Sequence, residues 1–254
     1  MYIDTHAHIY HANFKDKAAM VGRAIEAGVD KIYMPNIDLD SIDPMHELAD
    51  QYPDHCYPMM GLHPCHVFAD YKEVLSEMRA HFEQRKYAAV GEIGIDLYWD
   101  KTFEQEQIEA YKTQIEWSRE LDLPFVIHSR EALDLTIGIV EELQDGNLKG
   151  IFHCFNGTVE QGKRIVDLGF YMGLGGVITY KKAGVDQSVK ELPIEHMVLE
   201  TDAPFLTPVR YRKKGVNNEP AFMVSVAERL SRIYDIDLDE VERITTQNAK
   251  KVFQ

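Results

Sequence analysis

The stretch that decides the fold runs from Phe125-Val126-Ile127-His128 through Arg130–Leu143 to Gly150-Ile151-Phe152-His153. Both short runs are apolar and rich in residues that favour strands, while the segment between them has apolar residues at helical spacing. Gly146 stands where that helix is expected to end. A strand, a helix and a second strand in this order predict a right-handed βαβ unit with parallel strands.

The same alternation extends along the whole chain. Dividing 254 residues by eight units gives about 32 residues per unit, and a (β/α)8 barrel takes about 250 residues. A dinucleotide-binding fold lacks its glycine fingerprint here, because no G-x-G-x-x-G follows the first run. We therefore predict a single-domain (β/α)8 TIM barrel over residues 1–254, with helices that include Phe103–Leu121 and Asp237–Phe253. The predicted strands are Tyr2–His8, Lys31–Pro35, Cys56–Gly61, Ala88–Ile93, Phe125–His128, Gly150–His153, Phe170–Leu174 and Met197–Thr201.

Composition and charge exclude several classes of protein. Apolar residues at 45% and charged residues at 27% are typical of a folded globular chain rather than a disordered one. No apolar run reaches the about 20 residues that span a bilayer, and the N-terminus does not resemble a signal peptide, so we expect a cytoplasmic protein without a membrane partner. Three cysteines without a C-x-x-C pair predict reduced thiols. A net charge of −15 argues against a basic surface for polyanions.

Residues that commonly bind metals recur at the carboxyl ends of the predicted strands. In a TIM barrel these ends face one mouth, where chemistry takes place. Any one of them could be a structural residue, but they fall in phase with the repeat. We therefore predict that they converge on a metal site. The six are His6 and His8, which alternation places on one side of strand 1, and Glu92, His128, His153 and Asp202 at the ends of strands 4, 5, 6 and 8.

Four imidazoles and two carboxylates are more than one tetrahedral zinc with an open water position requires. We therefore predict two divalent ions, Mg, Mn or Zn, bridged by a carboxylate. Asp202 is the expected general base, and Asp202 and Glu92 are the expected catalytic carboxylates. One ion is assigned to His6, His8, Glu92 and Asp202, and the other to Glu92, His128 and His153.

Seven short strings of this sequence resemble the TatD-type metal-dependent hydrolases of the amidohydrolase superfamily. The resemblance covers the whole chain, although the loop at 210–216 is more basic than the family pattern. It implies a TIM barrel of the metal-dependent hydrolase type that cleaves phosphodiester bonds, often as a deoxyribonuclease trimming DNA from the 3′ end. DNA, single-stranded or at 3′ ends, is then the expected substrate, with no obligate protein partner. The strings are Asp4–His8, Gly61–Pro64, Val90–Asp96, Ile127–Arg130, His153–Gly157, Leu199–Pro204 and Asn218–Pro220.

Several residues outside the predicted metal shells are candidates for contact with substrate. An arginine at a strand end could present its planar fork to a phosphate, and a basic loop after strand 8 opens onto the same face. Loop aromatics such as Trp99 could stack on unpaired bases, although most aromatics in such a protein belong to the core. The alternatives are a structural histidine before Pro64, an ion pair of the strand-end arginine with Glu131 or Asp134, and a solvated basic loop. The substrate-binding candidates are His63, Arg130, Arg210 and Arg212.

Glu200 lies two residues before Asp202 and therefore on the same side, where it could hydrogen-bond a ligating imidazole. Two alternatives to a nuclease stay open. The same metals could hydrolyse another bond, such as the ester of an aminoacyl-tRNA or a small-molecule amide, or the barrel could bind metal without activity. The complete set of six ligands disfavours an inactive scaffold.

Overall fold

All eight predicted strands are present in the computed structural model, which describes residues 1–254. The helices follow the strands in alternation, as the βαβ pattern predicts. The strands are β1 (Tyr2–Asp4), β2 (Val29–Pro35), β3 (Cys56–Met59), β4 (Val90–Asp96), β5 (Phe125–Arg130), β6 (Gly150–Phe152), β7 (Tyr171–Leu174) and β8 (Met197–Leu199). The helices are α1 (Lys17–Glu26), α2 (Ile42–Gln51), α3 (Tyr71–Gln84), α4 (Glu104–Leu121), α5 (Leu133–Leu143), α6 (Val159–Asp167), α7 (Val185–Lys190), α8 (Met223–Tyr234) and α9 (Leu238–Phe253).

The strands are parallel and follow one another in chain order. β1 to β3 form one ladder and β4 to β8 form a second. A parallel bridge between Met60 and Val90 joins the two ladders on one side. On the other side the Thr5 N–H donates to the carbonyl of Leu199 at 3.0 Å. The sheet therefore closes on itself, and the predicted (β/α)8 barrel is confirmed. None of the helices is both long and apolar enough to cross a membrane.

The C-terminal helix closes the amino end of the barrel. The side-chain amide of Asn248 on α9 donates to the carbonyls of Ile194 and Met197 at 2.9 and 2.8 Å, just before and at the start of β8. Phe253 stacks on Tyr33 with ring centroids 3.7 Å apart. The carboxyl ends of the strands are left as the open mouth. Ala249 and Val252 of α9 pack with a cluster inside the barrel that contains Ile3, Tyr33, Met59, Ala89, Val126, Ile151 and Val198.

Most of the predicted strand boundaries differ from the structure by one to four residues, and two of these departures have a clear local reason. β1 ends at Asp4 instead of reaching His8, because the Asp4 carboxylate accepts from the N–H of His6 at 3.3 Å and turns the chain. β5 continues to Arg130, which pairs in register with Asp96, so α5 begins at Leu133 and not at Arg130. Both departures occur at the mouth of the barrel.

The packing of β6 against its neighbours gives a test of the fold. A Cβ on Gly150 would lie 2.1 Å from the carbonyl oxygen of Phe125 and 3.0 Å from the ring of Phe170. We expect Gly150→Ala to lower the free energy of unfolding by about 1–3 kcal/mol, since the overpacked backbone must shift. Urea unfolding followed by circular dichroism measures this loss.

The matched control is Gly138→Ala in α5, where an added Cβ meets nothing within 4 Å. Here alanine should raise the free energy of unfolding by about 0.5–1 kcal/mol, because glycine costs more backbone entropy inside a helix. Equal stability of the two variants would contradict the described register of β5 and β6.

Candidate metal centre

Three strands carry side chains from the barrel interior into the mouth at intervals of two residues. Because side chains alternate along a strand, a residue two positions after an inward-facing one also faces inward. The ends of these strands therefore deliver polar groups to one point. On β5 the inward-facing Val126 is followed two positions later by His128. In the same way Ile151 of β6 is followed by His153, and Val198 of β8 is followed by Glu200.

One oxygen of the buried Glu92 carboxylate faces the first group of predicted ligands. Its Oε2 lies 3.2 Å from Nε2 of His6 and 3.5 Å from Nε2 of His8. Oδ1 of Asp202 lies 3.8 Å and 3.5 Å from the same two nitrogens. His6 and His8 follow the end of β1 and lie outside the strand, so strand alternation does not place them, but their Nε2 atoms still lie 3.3 Å apart.

The other oxygen of Glu92 faces the second group. Its Oε1 lies 2.9 Å from Nδ1 of His128 and 3.1 Å from Nε2 of His153. The structure therefore brings all six predicted ligands into one cluster, with Glu92 between two sets. Nε2 of His63 also approaches Oε1 of Glu92, at 3.6 Å. His63 is a predicted substrate contact and not a predicted metal ligand.

The hydrogen bonds of the second ring nitrogen decide which histidines can bind a metal, because a neutral imidazole offers only one lone pair. The Tyr10 hydroxyl donates its proton to the carbonyl of Pro35 at 2.6 Å. It must therefore accept from Nδ1–H of His8, which lies 3.1 Å away. The Nε2 lone pair of His8 is then free to point at Glu92 and Asp202.

Carboxylates fix two more histidines in the same way. Nδ1 of His153 lies 3.3 Å from Oε1 of Glu200, and Nε2 of His128 lies 2.8 Å from Oδ2 of Asp96. A carboxylate accepts, so these nitrogens carry the proton and the opposite nitrogens present lone pairs to Glu92. Glu200 thus occupies the place predicted for it. The second nitrogen of His6, Nδ1, is buried without a partner.

His63 has the reverse arrangement. It precedes the short 3-10 helix Pro64–His66, and its Nδ1 accepts from the backbone N–H of Cys65 at 3.0 Å. The neutral ring must then carry its proton on Nε2, which is the nitrogen that faces Glu92. Burial lowers the pKa of His63 to about 3, so the ring is neutral at physiological pH. His63 presents a hydrogen-bond donor where the other histidines present lone pairs.

The electrostatics of the cluster favour cations. Glu92, Asp96, Glu200 and Asp202 are four carboxylates in one site, and no lysine or arginine pairs with any of them. Buried charges are costly unless opposite charge compensates them, and two divalent cations would balance four single negative charges. The donor set of imidazole nitrogens and carboxylate oxygens therefore fits two divalent ions.

The pKa shifts of Glu92 and His153 arise from the close approach of carboxylates and histidines in this cluster. Burial alone would raise the pKa of Glu92, but His6, His153 and His63 around it hold the pKa well below its ordinary value. Burial opposes protonation of His153, yet Glu92 and Glu200 raise its pKa well above the usual range. The field of these carboxylates favours positive charge at the centre of the mouth.

The predicted phosphate contacts have different outcomes. Arg130 lines the cleft above the cluster, a cavity of about 580 Å³. It does not pair with Glu131 or Asp134, and its guanidinium lies 3.7 Å from the ring centroid of Tyr98. Arg210 and Arg212 do not line the cleft. Arg210 pairs with Glu228 at 3.3 Å, because the loop turns back against α8, and Arg212 lies over the ring of Tyr180 at 4.5 Å.

Sequence reasoning missed two residues that orient the ligands. Tyr10 was not singled out, and only its spacing two residues after His8 could have pointed to it. Asp96 shapes its loop by accepting from the backbone N–H groups of Tyr98 and Trp99, and it also fixes the ring of His128. Its position four residues after Glu92 on β4 was a weak signal.

Comparison with known proteins identifies relatives along the whole chain. The family model described as TatD related DNase matches residues 3–254. The uncharacterized metal-dependent hydrolase YabD of Bacillus subtilis is 34% identical and is matched over 100% of this chain and 99% of its own length. The 3′-5′ ssDNA/RNA exonuclease TatD of Pantoea ananatis is 28% identical over 94% of this chain and 93% of its own. The crystal structure of YjjV, a TatD homologue from Escherichia coli K12, has a TM-score of 0.92 and 30% identity, covering 99% of this chain and 97% of that one.

Removing the shared carboxylate gives the sharpest test of the two-ion arrangement. Glu92→Ala should weaken binding of both ions by at least about 100-fold, because each group loses a ligand and a counter-charge. Calorimetric titration with zinc or manganese and elemental analysis measure the loss. Glu104→Ala, at an exposed position in the first turn of α4, is the control. Unchanged metal content in Glu92→Ala would rule out the bridging role.

Glu200 should act on one ion only. Glu200→Ala removes the acceptor that fixes the proton of His153 on Nδ1, so we expect about 10–100-fold weaker binding of one ion and little change in the other. Glu200→Gln should lose less, since its amide oxygen still accepts. Calorimetry with two resolved binding events measures the difference, and equal weakening of both events would contradict the assignment.

Proposed function

We propose that this chain, which belongs to the TatD-related DNase family of metal-dependent hydrolases, is a deoxyribonuclease that removes nucleotides from the 3′ ends of single-stranded DNA. The observation that carries the proposal is the Glu92 carboxylate, whose two oxygens face two sets of metal-ligand side chains. The exonuclease from Pantoea ananatis, aligned over almost the whole chain, supports the choice of bond and of strand end.

The residues that would hold the ions fall into two sets. His6, His8, Glu92 and Asp202 would form one set, and Glu92, His128 and His153 would form the other, as their distances to the two oxygens of Glu92 suggest. Divalent ions in such sites make water a better nucleophile near neutral pH and offset the charge that builds up on an attacked phosphate. Imidazole ligands favour zinc or manganese over magnesium, which prefers oxygen.

Asp202 is placed to act as the general base. Burial would raise the pKa of its carboxyl group, but His8 and His153 lower it below the ordinary value, so the group is ionised at neutral pH. It lines the cleft, where it can accept a proton from the attacking water. Its backbone N–H donates to the carbonyl of His6 at 2.9 Å, which fixes it beside the first set of ligands.

His63 would bind the substrate and not a metal. Its proton lies on Nε2, and that nitrogen points into the cluster from the cleft wall. A neutral N–H donor can bond a phosphate oxygen or the departing 3′ oxygen without adding a charge to the site. The backbone N–H of Cys65 fixes the ring of His63, and this orientation would point its donor at the substrate. A structural histidine before Pro64 and a substrate-binding histidine are therefore compatible interpretations of this residue.

The test is a single-stranded oligonucleotide labelled at its 5′ end and incubated with the purified protein. We expect a ladder of products shortened from the 3′ end with added manganese, magnesium or zinc, and none with a chelator. Asp202→Asn should lower the rate about 10²–10⁴-fold, since it removes the proton acceptor. Gel electrophoresis resolves the products.

Two controls separate the alternatives. A circular oligonucleotide has no end and should stay intact, so its cleavage would show attack within the strand. An aminoacyl ester tests the rival hydrolase. Turnover of the ester with an intact oligonucleotide, or shortening that needs no metal, would defeat the nuclease proposal.

A further inference from the structure

Trp99 stands out because it is a large apolar side chain that the protein leaves uncovered. It is 70% exposed, whereas the other tryptophan of the chain, Trp117, is 6% exposed. Trp99 lies in the connection from β4 to α4 and lines the same cleft as Glu92 and His128. An exposed indole at the edge of a polar cleft offers a flat surface to a ligand.

The loop that carries Trp99 is fixed relative to the metal centre by one carboxylate. Oδ1 of Asp96 accepts from the backbone N–H of Tyr98 at 3.0 Å and of Trp99 at 3.4 Å. Oδ2 of the same group accepts from the ring of His128 at 2.8 Å. Asp96 therefore holds the aromatic loop and a metal-ligand histidine in a fixed mutual position.

A free cation lies beside the indole. The guanidinium of Arg130 is 3.7 Å from the ring centroid of Tyr98 and 5.3 Å from that of Trp99. No carboxylate pairs with Arg130, unlike Arg210, which Glu228 holds. Stacking on the aromatic rings covers a face of the guanidinium and leaves the N–H groups at its edge for an anion.

We propose that Trp99 is a stacking platform for an unpaired nucleobase of the substrate strand and that Arg130 receives the neighbouring phosphate. This rests on the nuclease function proposed above and names the contact that selects single strands. A base within a duplex is already covered by its neighbours, whereas a base at a frayed or single-stranded end exposes its face. An aromatic platform beside a cation is the arrangement that binds single strands without sequence preference.

Intrinsic fluorescence tests the stacking directly, because Trp99 is the only exposed tryptophan of the two. With the metals bound, and with the 3′ linkages of the strand protected from cleavage as phosphorothioates, a single-stranded oligonucleotide should quench the emission. An oligonucleotide of equal length with abasic sites throughout has the same phosphates and should not. Equal quenching by both, or none by either, overturns the proposal.

Binding to variants gives a second measurement. By fluorescence anisotropy of a labelled oligonucleotide, Trp99→Ala should bind about 10-fold or more weakly and Trp99→Phe should retain most of the affinity. Phe68→Ala is the matched control, since Phe68 is also exposed, at 49%, but does not line the cleft. Affinity for the abasic strand should be equal in wild type and Trp99→Ala. A Trp99→Ala variant that binds the intact strand like wild type refutes the platform.

The two proposals can fail separately. Hydrolysis of an aminoacyl ester in place of the oligonucleotide would overturn the nuclease function, whereas quenching that depends on bases is measured without turnover. Quenching without base dependence would overturn the platform while leaving metal-dependent cleavage intact. In kinetics, Trp99→Ala should raise KM for the intact strand and leave KM for an abasic strand unchanged.

Discussion

The mouth of the barrel depends on the burial of carboxylates that no lysine or arginine neutralises. Glu92 is buried at the centre, and Asp96, Glu200 and Asp202 surround it, each against a histidine. Such a group of buried negative charges is costly in a folded protein unless positive charge compensates it. The histidines can compensate the negative charge in two ways, because each can take up a proton or offer a lone pair to a metal ion. The site is therefore a cation site by its electrostatics, before any comparison with relatives.

The closure of the barrel is what brings the first and last ligands together. Asp4 accepts from the N–H and the hydroxyl of Thr201 at 3.0 and 2.6 Å, which ties the end of β1 to the chain after β8. Asn218 donates from its side chain to the carbonyl of Thr201 at 2.6 Å, so it also holds the chain after β8 in place. His6 and Asp202, which lie nearly 200 residues apart in sequence, are adjacent through this network. The same hydrogen bonds therefore close the barrel and hold His6 beside Asp202.

The sequence predicted what periodicity controls and missed what single side chains control. All eight strands and the convergence of the six proposed ligands follow from the βαβ repeat, because parallel strands in a closed barrel must end on one face. The end of β1 and the start of α5 did not follow, since one carboxylate turns the chain at Asp4 and one strand pair extends to Arg130. The positions of Arg210 and Arg212 could not be predicted from the sequence either. A run of basic residues indicates neither the ion pair of Arg210 with Glu228 nor the contact of Arg212 with the ring of Tyr180. Nor could spacing show which ring nitrogen of His63 carries the proton, because a backbone N–H decides it.

The net charge of −15 also limits how a polyanion could be recognised. Long-range attraction to the body of a nucleic acid is weak for such a chain. Arg210, the first cation of the loop after β8, pairs with Glu228 and does not line the cleft. For the proposed nuclease, affinity would then come from contacts of short range, namely the metal centre, the Nε2–H of His63 and the Arg130–Trp99 pair. Contacts confined to one cleft of about 580 Å³ favour a strand end over a long duplex, because an end can enter the cleft while the rest of the polymer gains little attraction from a chain of net negative charge. The acidity of the chain, which first argued against nucleic acid, thus becomes a reason for the proposed preference for ends.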